Sequence, residues 1–308
     1  MKVAISGGTG FVGVHLARAL IDSGHSVRLL VRSRVYQPAV GALEYVQADL
    51  SSAERIAPAL EGCDAMVSLA GILHQSKLNS FEDVHHQLPL KLANAAIQAG
   101  IDRMTHVSAL HADINGPSEY LKSKGRAEQS LSRLQDKLSL SFHQPSVIFG
   151  AGDDLINQFA ALLKFAPVMP LARGNSLFQP VYIGDLATAI ALDLTQNQPD
   201  QPQTHQWVGP ERLSLVELVQ TVAKHLSLKR WIFALPDPIG AVQAAALGML
   251  PNPPMTLDNY RSLSVNSVAD GPTCPSRLDE EIPKYLFQGS RDDQARQLWA
   301  ALEYAAGG

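Results

Sequence analysis

Two cysteines in 308 residues leave no room for a disulfide scaffold. Cys63 precedes an apolar run and Cys274 sits in a proline-flanked loop, and neither belongs to a CxxC pair. The ten histidines show no HExxH or CxxC…HxxxH spacing, so the sequence supports no metal site. Charge of one sign is equally scarce. Lys and Arg number 25 against 29 Asp and Glu, a net charge of −4, which gives no global footprint for nucleic acid. No run approaches the roughly 18 uncharged apolar residues of a spanning helix. The nearest, 239–250, is 12 residues long and contains Gln243. A charged leader followed by an apolar stretch and a cleavage site is also missing, so the expected compartment is the cytoplasm. What is present is ordinary for a chain with a sizeable core: 46 % apolar and 18 % charged residues.

The first 150 residues alternate short β-rich runs with helical patterns. Strands are expected at 3–6, 27–31, 44–47, 65–69, 104–108 and 139–143, and helices at 11–23, 52–60, 81–99 and 120–135. Such alternation implies right-handed βαβ units, hence an α/β fold with a Rossmann-type doubly wound parallel sheet. After Gly150 prolines become denser and the pattern loosens. Helices are expected at 153–164, 185–196, 215–226 and 237–250, with strand-like pieces at 181–183 and 206–208. The expected division is a nucleotide-binding domain over 1–150, to which 180–200 returns, and a smaller mixed α/β substrate or lid subdomain over 151–308.

The first strand runs into Gly7-Gly8-Thr9-Gly10-Phe11-Val12-Gly13, which opens a helix. A tight turn needs a residue tolerant of positive φ. Close approach of backbone to pyrophosphate excludes a Cβ, and a third glycine lets helix pack on sheet while the helix N-terminus faces the anion. Between strand and helix, the segment reads as a dinucleotide fingerprint, with Gly7, Thr9, Gly10, Phe11, Val12 and Gly13 as cofactor contacts. The alternative is an ordinary strand–helix turn. Its spacing is GxxGxxG rather than GxGxxG. In this it resembles the short-chain dehydrogenase/reductase superfamily, extended or atypical branch.

Cofactor choice is read about 20 residues further on. A carboxylate there would bind a ribose 2′-hydroxyl and repel a 2′-phosphate, whereas a guanidinium grips the phosphate. The sequence has Val31-Arg32-Ser33-Arg34, so Arg32, helped by Ser33 or Arg34, points to NADP(H) over NAD(H). The alternative is solvated loop charges. Asp49-Leu50 resembles the family's adenine-edge contact, or Asp49 caps the helix at 52. By resemblance the backbone of Leu69, Ala70 and Gly71 lies against the cofactor, and that of Pro145 and Val147 against the nicotinamide carboxamide. X-Pro is also extended on its own account.

Tyr120 and Lys124 form a Tyr-x-x-x-Lys pair, one turn apart on a helix face. A free phenol, with pKa near 10, is a poor base at neutral pH. A nearby ammonium favours its ionised form, so Tyr120 becomes a candidate for proton exchange with a substrate oxygen and Lys124 for tuning it and holding the nicotinamide ribose. The remaining member of the set is a Ser or Thr at the end of the fifth strand. Ser108 occupies the first place of the superfamily's doublet, and Ala109 stands in the second. The alternative hydroxyl is Ser118.

Four blocks narrow the resemblance: 118–128, 144–153 beginning Gln144-Pro145-Ser146, 178–185, and Val208-Gly209-Pro210-Glu211. They are similar to the atypical subgroup that includes the NADPH-binding accessory subunit of respiratory complex I and its bacterial relatives, where the family's usual Arg-Pro-Ser has Arg at the place of Gln144. The resemblance spans about residues 1–265. It implies either an NADP(H)-dependent oxidoreductase or epimerase-like enzyme acting on a small molecule, or a non-catalytic NADPH-binding accessory, assembly or redox-sensing protein. Asp185 is expected to cap its helix, and Trp207 and Trp231 to pack in the core or the subdomain. The apolar stretch 231–254 reads as a buried or pocket-covering helix, or as a lipid- or quinone-facing surface peripheral to the inner membrane or docked on a respiratory complex.

Overall fold

The computed structural model describes residues 1–32, 39–76, 78–196, 198–251 and 253–307. Ser33 and Arg34 lie outside the described residues. Six strands, β1 (Lys2–Ser6), β2 (Ser26–Val31), β3 (Leu43–Gln47), β4 (Ala65–Ser68), β5 (Arg103–Val107) and β6 (Ser139–Pro145), join Gln203–Trp207 in one parallel sheet. Its order is Gln203–Trp207, β6, β5, β4, β1, β2, β3. Strands buried on both faces read as continuous apolar runs. β1 is buried from Val3 to Ser6, and all four residues of β4 are buried.

Helices cover both faces. On one, α1 (Phe11–Asp22) packs with Ile183–Gln196 through Leu16, Leu20, Leu186 and Ile190, joined by Leu302 of the C-terminal helix Arg291–Gly307. On the other lie α2 (Ala53–Ile56), α3 (Leu88–Gln98) and α4 (Glu119–Ser132), whose Leu92, Ala96 and Leu131 meet Met66, Met104 and Phe142. The chain order reverses between β1 and β4, and the crevice beyond the carboxyl ends of these strands is where α/β sheets bind ligands.

The smaller part holds three two-stranded sheets: Ile148–Phe149 with Val181–Tyr182, Leu177–Phe178 with Leu213–Ser214, and Val168–Leu171 with Trp231–Ala234. Helices Leu155–Phe165, Leu215–His225 and Leu278–Tyr285 share a separate core with them through Ile156, Leu218 and Ile282.

Several expectations are corrected. The helix at 52–60 is α-helical only over Ala53–Ile56, then tightens to a 3₁₀ turn over Ala57–Leu60, where Pro58 lacks an N–H. The helix at 81–99 begins as a π-helix over Glu82–Gln87, widened ahead of Pro89, which cannot donate to the carbonyl four residues back. Asp185 does not cap a helix end. It lies inside Ile183–Gln196 and its carboxylate accepts from the N–H and hydroxyl of Ser276. Trp207 packs as expected, its Nε1 donating to His143 Nδ1 at 2.8 Å, but Trp231 is 69 % exposed. No described helix is long and apolar enough to cross a membrane.

Candidate functional site

The glycine turn closes β1 onto α1. Gly10 N–H donates to the Gly7 carbonyl at 3.1 Å, and Gly10 is the N-cap of α1 with no side chain bonded across the helix end. The first-turn N–H groups, Phe11 and Val12 among them, therefore have no competing cap, and the first turn carries no acid to repel an anion. Thr9 and Gly10 are exposed at the turn's tip. Gly7 has φ +79°, and a Cβ there would come within 2.7 Å of Ala70 N. A Cβ on Gly13 would strike Gly8 Cα at 2.4 Å. The glycines are thus set by backbone crowding, and the turn fits a pyrophosphate.

From this turn a line of close approaches runs across the switch point. Leu69 N–H donates to the Ser6 carbonyl at 2.9 Å, Ala70 abuts Gly7, and Gly71 lies next to Lys124, since a Cβ on Gly71 would sit 3.7 Å from both Lys124 Nζ and His85 Nε2. The Lys124 ammonium is buried, donates to the Val107 carbonyl at 3.1 Å, and burial lowers its pKa to about 8 against the attraction of Glu128.

Tyr120 stands one turn earlier on α4. Its ring meets Phe81 and His85 edge-on, at 5.9 and 5.4 Å between centroids. Burial pushes its phenol up to about 12, and here the lysine does not offset that effect. An ionised Tyr120 is therefore not the resting state, and the phenol is a proton donor at neutral pH. Ser108 is buried just after β5. It lies close enough to Glu128 to draw the carboxyl's pKa down against burial, but makes no hydrogen bond of normal geometry among the described residues. Its hydroxyl is closed off from solvent. The Ser118 Oγ is engaged: it caps α4 by accepting from Leu121 N–H at 3.2 Å and takes a further bond from Ser262 Oγ at 2.8 Å.

Arg32 is exposed at the end of β2 and borders an open cavity of about 620 Å³ with Gln47, Ala48, Asp49, Leu50 and Ser51. The Asp49 carboxylate accepts from Ser51 N–H at 3.0 Å and from Arg55 Nη1 at 2.5 Å, which hold its pKa down to about 2. It serves its own turn and pairs across to α2. At the far side, the Pro145 carbonyl accepts from Leu110 N–H and the Val147 carbonyl from Val181 N–H, so this strand exit is pinned from two directions.

Two parts of the site carry no motif. His85 Nε2 accepts from Ile72 N–H at 2.9 Å, which leaves Nδ1 as the N–H donor to Ser123 Oγ at 2.9 Å. Burial first, and then the Lys124 charge, lower its pKa to about 2, so the ring is neutral. Asp258, on the short helix Leu257–Ser262, accepts from the N–H groups of Glu119 and Tyr120 at 2.8 and 3.1 Å and so clamps the start of α4. A capping pair, Thr256 with Asn259, is the one local signal for that helix.

A family model described as NAD(P)H-binding matches residues 7–138. The chain is 30 % identical over 254 residues to a ceramide reductase of Caulobacter vibrioides, covering 80 % of this chain and 76 % of that protein. It is 27 % identical over 259 residues to the alpha subcomplex subunit 9 of the mitochondrial NADH dehydrogenase (ubiquinone) of Arabidopsis thaliana, covering 80 % of this chain and 63 % of the subunit. The mouse counterpart is 28 % identical over 226 residues, 71 % of this chain and 59 % of the subunit, so the chain spans about three fifths of the length of these complex I relatives. Among solved structures, a dTDP-glucose 4,6-dehydratase from Streptomyces venezuelae with NAD bound superposes with a TM-score of 0.69 at 20 % identity, over 98 % of this chain and all of that one. That likeness shows the fold. Matched from the glycine turn through α4 and in length to the bacterial reductase, the chain belongs to the NAD(P)H-binding, atypical short-chain dehydrogenase/reductase family.

Proposed function

We propose that the protein is an NADP(H)-dependent reductase in which Tyr120 passes a proton to a substrate oxygen. The observation that carries this is the line Gly7, Ala70, Gly71, Lys124, which brings the Tyr-x-x-x-Lys pair of α4 up to the cofactor turn at the switch point. Bound NADP(H) supplies or accepts the hydride. Gly7 to Gly13 hold the pyrophosphate. Arg32, with Ser33, takes the 2′-phosphate. Leu50 and the Asp49 turn border the adenine, Leu69 to Gly71 line the middle of the cofactor, and Pro145 with Val147 meets the carboxamide. The Lys124 ammonium, whose pKa burial lowers to about 8, gains a further partner in the ribose hydroxyls and stays charged beside the phenol. The Tyr120 phenol, protonated at rest, supplies the proton, and Ser108 donates to the substrate oxygen. The substrate sits between the sheet's carboxyl edge and the residues after Gly150. The name of the Caulobacter relative favours a carbonyl or hydroxyl group on an apolar molecule.

A second reading has one observation behind it: Ala109 stands where a second hydroxyl would assist catalysis. In that reading the protein binds NADPH without turnover, as an accessory or redox-sensing partner of a respiratory complex. Fluorescence titration with NADPH and NADH, followed by cofactor oxidation with lipid and short-chain ketones, separates the two. The catalytic reading expects tight NADPH binding that survives Tyr120→Phe, with oxidation falling at least a hundredfold. It fails if the wild-type protein binds NADPH and oxidises none with any carbonyl substrate.

A further inference from the structure

We infer that the corner built from helix Leu155–Phe165, the Val168–Leu171/Trp231–Ala234 ribbon and helix Asp237–Leu247 is a docking surface for an anionic lipid bilayer. The inference stands on exposure and charge and does not depend on the catalytic reading. Monomeric chains rarely leave large apolar side chains clustered in water. Here Phe165 is 87 % exposed, next in chain to Lys164, and Trp231 is 69 % exposed directly opposite Val168 in the ribbon. Arg230 draws the two edges together, its Nε donating to the Leu163 carbonyl at 2.7 Å. Trp231 and Phe233 pack ring against ring at 5.0 Å, so the tryptophan is held as a rigid projection.

The helix that follows continues the pattern. Asp237–Leu247 is apolar almost all round, and such a helix is normally buried. Only Gly240 and Ala244 are buried, while Ile239 and Val242 face outward, and beyond the helix end Met249 is 78 % exposed. Gln243 fastens this helix to the ribbon, accepting from Ala172 N–H at 3.0 Å and donating to the Pro170 carbonyl at 2.9 Å.

Charge identifies the occupant. The protein as a whole is acidic, with a net charge of −4, yet residues 155–173 and 226–257 contain a single acid, Asp237, against Lys164, Arg173, Lys229 and Arg230. Asp237 is paired with Arg173 at 2.9 Å, which leaves Lys164, Lys229 and Arg230 without a carboxylate partner on their own segments. Exposed aromatic and aliphatic side chains beside uncompensated Lys and Arg are the composition that enters the headgroup region of an anionic bilayer, with Trp at the interface and cations at the phosphates. An apolar protein partner would not require the cations, and a symmetric contact with a second copy would set the same cations face to face.

The test is flotation of the full chain with phosphatidylcholine vesicles, with and without phosphatidylglycerol. The expected result is co-flotation with the anionic vesicles, weakened by salt as charges are screened. Lys164→Gln and Lys229→Gln each lower binding about fivefold. Trp231→Ser, Phe165→Ser and Val242→Asp each abolish most of it. All five variants keep wild-type NADPH affinity, which shows that they fold and keeps this test separate from the catalytic reading. Absence of flotation with either vesicle overturns the inference. So does flotation that the five substitutions leave unchanged, or an apolar surface that these substitutions show by light scattering to be a self-association interface.

Discussion

His85 and Ile72 are joined by a single hydrogen bond, Ile72 N–H to His85 Nε2 at 2.9 Å, that fastens the loop after β4 to the π-helical turn Glu82–Gln87. The other ring nitrogen reaches Ser123 Oγ, which in turn donates to the Tyr120 carbonyl at 2.7 Å. One neutral ring thus links the loop after β4 to α4. Its placement within a π-helical turn follows a recurrent association of such turns with functional sites.

Replacing His85 with Ala leaves the Ile72 N–H without a partner in a half-buried site, at a cost of about 1–3 kcal/mol. The expected outcome of His85→Ala is a lower melting temperature and a several-fold weaker NADPH complex. His85→Gln, whose amide oxygen can accept the same bond, restores part of both. Thermal denaturation and fluorescence titration on the same samples check this. Equal affinity for all three proteins would show that the ring serves stability alone.

Asp258 gives the second expectation. Its carboxylate accepts from two free N–H groups at the start of α4, where the helix dipole adds to the attraction. Asp258→Ala removes both bonds and is expected to cost about 1–2 kcal/mol of stability. Denaturant unfolding measures that. Because the clamp lies on the backbone N–H of Tyr120 itself, the same change is expected to lower turnover more than NADPH affinity.

The sequence exposes the sheet and the cofactor turn because their causes are local. Continuous apolar runs, a glycine at each crowded backbone position and a pair four residues apart on a helix are all readable within short windows. Asp258 and His85 are invisible by the same logic. Asp258 is 138 residues from the N–H of Tyr120 that it binds, and its six-residue helix is too short to show a period. His85 reads as an ordinary helical residue until Pro89 widens the turn that points it at Ile72. Trp231 packs on Phe233 yet stays 69 % exposed, and hydropathy alone does not say which apolar side chains find enough partners to be buried.

On the proposed NADP(H) reading, Arg32 sets the cofactor preference. Among the described residues it is the cation at the rim of the cavity it shares with Asp49 and Leu50, where the Asp49 carboxylate is engaged with Ser51 and Arg55. A charge-assisted bond to a 2′-phosphate contributes roughly 1.5–3 kcal/mol, which is about tenfold to a hundredfold in affinity. Arg32→Ala is expected to weaken NADPH binding by that factor and leave NADH binding within about twofold. Fluorescence titration with both cofactors reads the ratio. Tighter NADH than NADPH binding by the wild-type protein would remove the preference altogether.

Lys124 is expected to make cofactor affinity depend on pH. Burial lowers its ammonium pKa to about 8, so in the ligand-free protein the charge is present below that value and is lost as pH rises through it. Above that value, binding of a ribose hydroxyl to the charged form requires the lysine to take up a proton from solvent. NADPH affinity is expected to be flat from pH 6 to 7.5 and to fall toward tenfold per pH unit above about 8. Lys124→Met should bind more weakly at neutral pH and show no such decline. Stability runs the opposite way. Between about pH 8 and the ordinary lysine value only the unfolded chain holds the proton, so alkali stabilises the wild-type fold relative to Lys124→Met. Parallel pH series of NADPH titration and urea unfolding on the two proteins decide it, and a wild-type affinity that stays level to pH 9.5 would place the charged lysine outside the cofactor site.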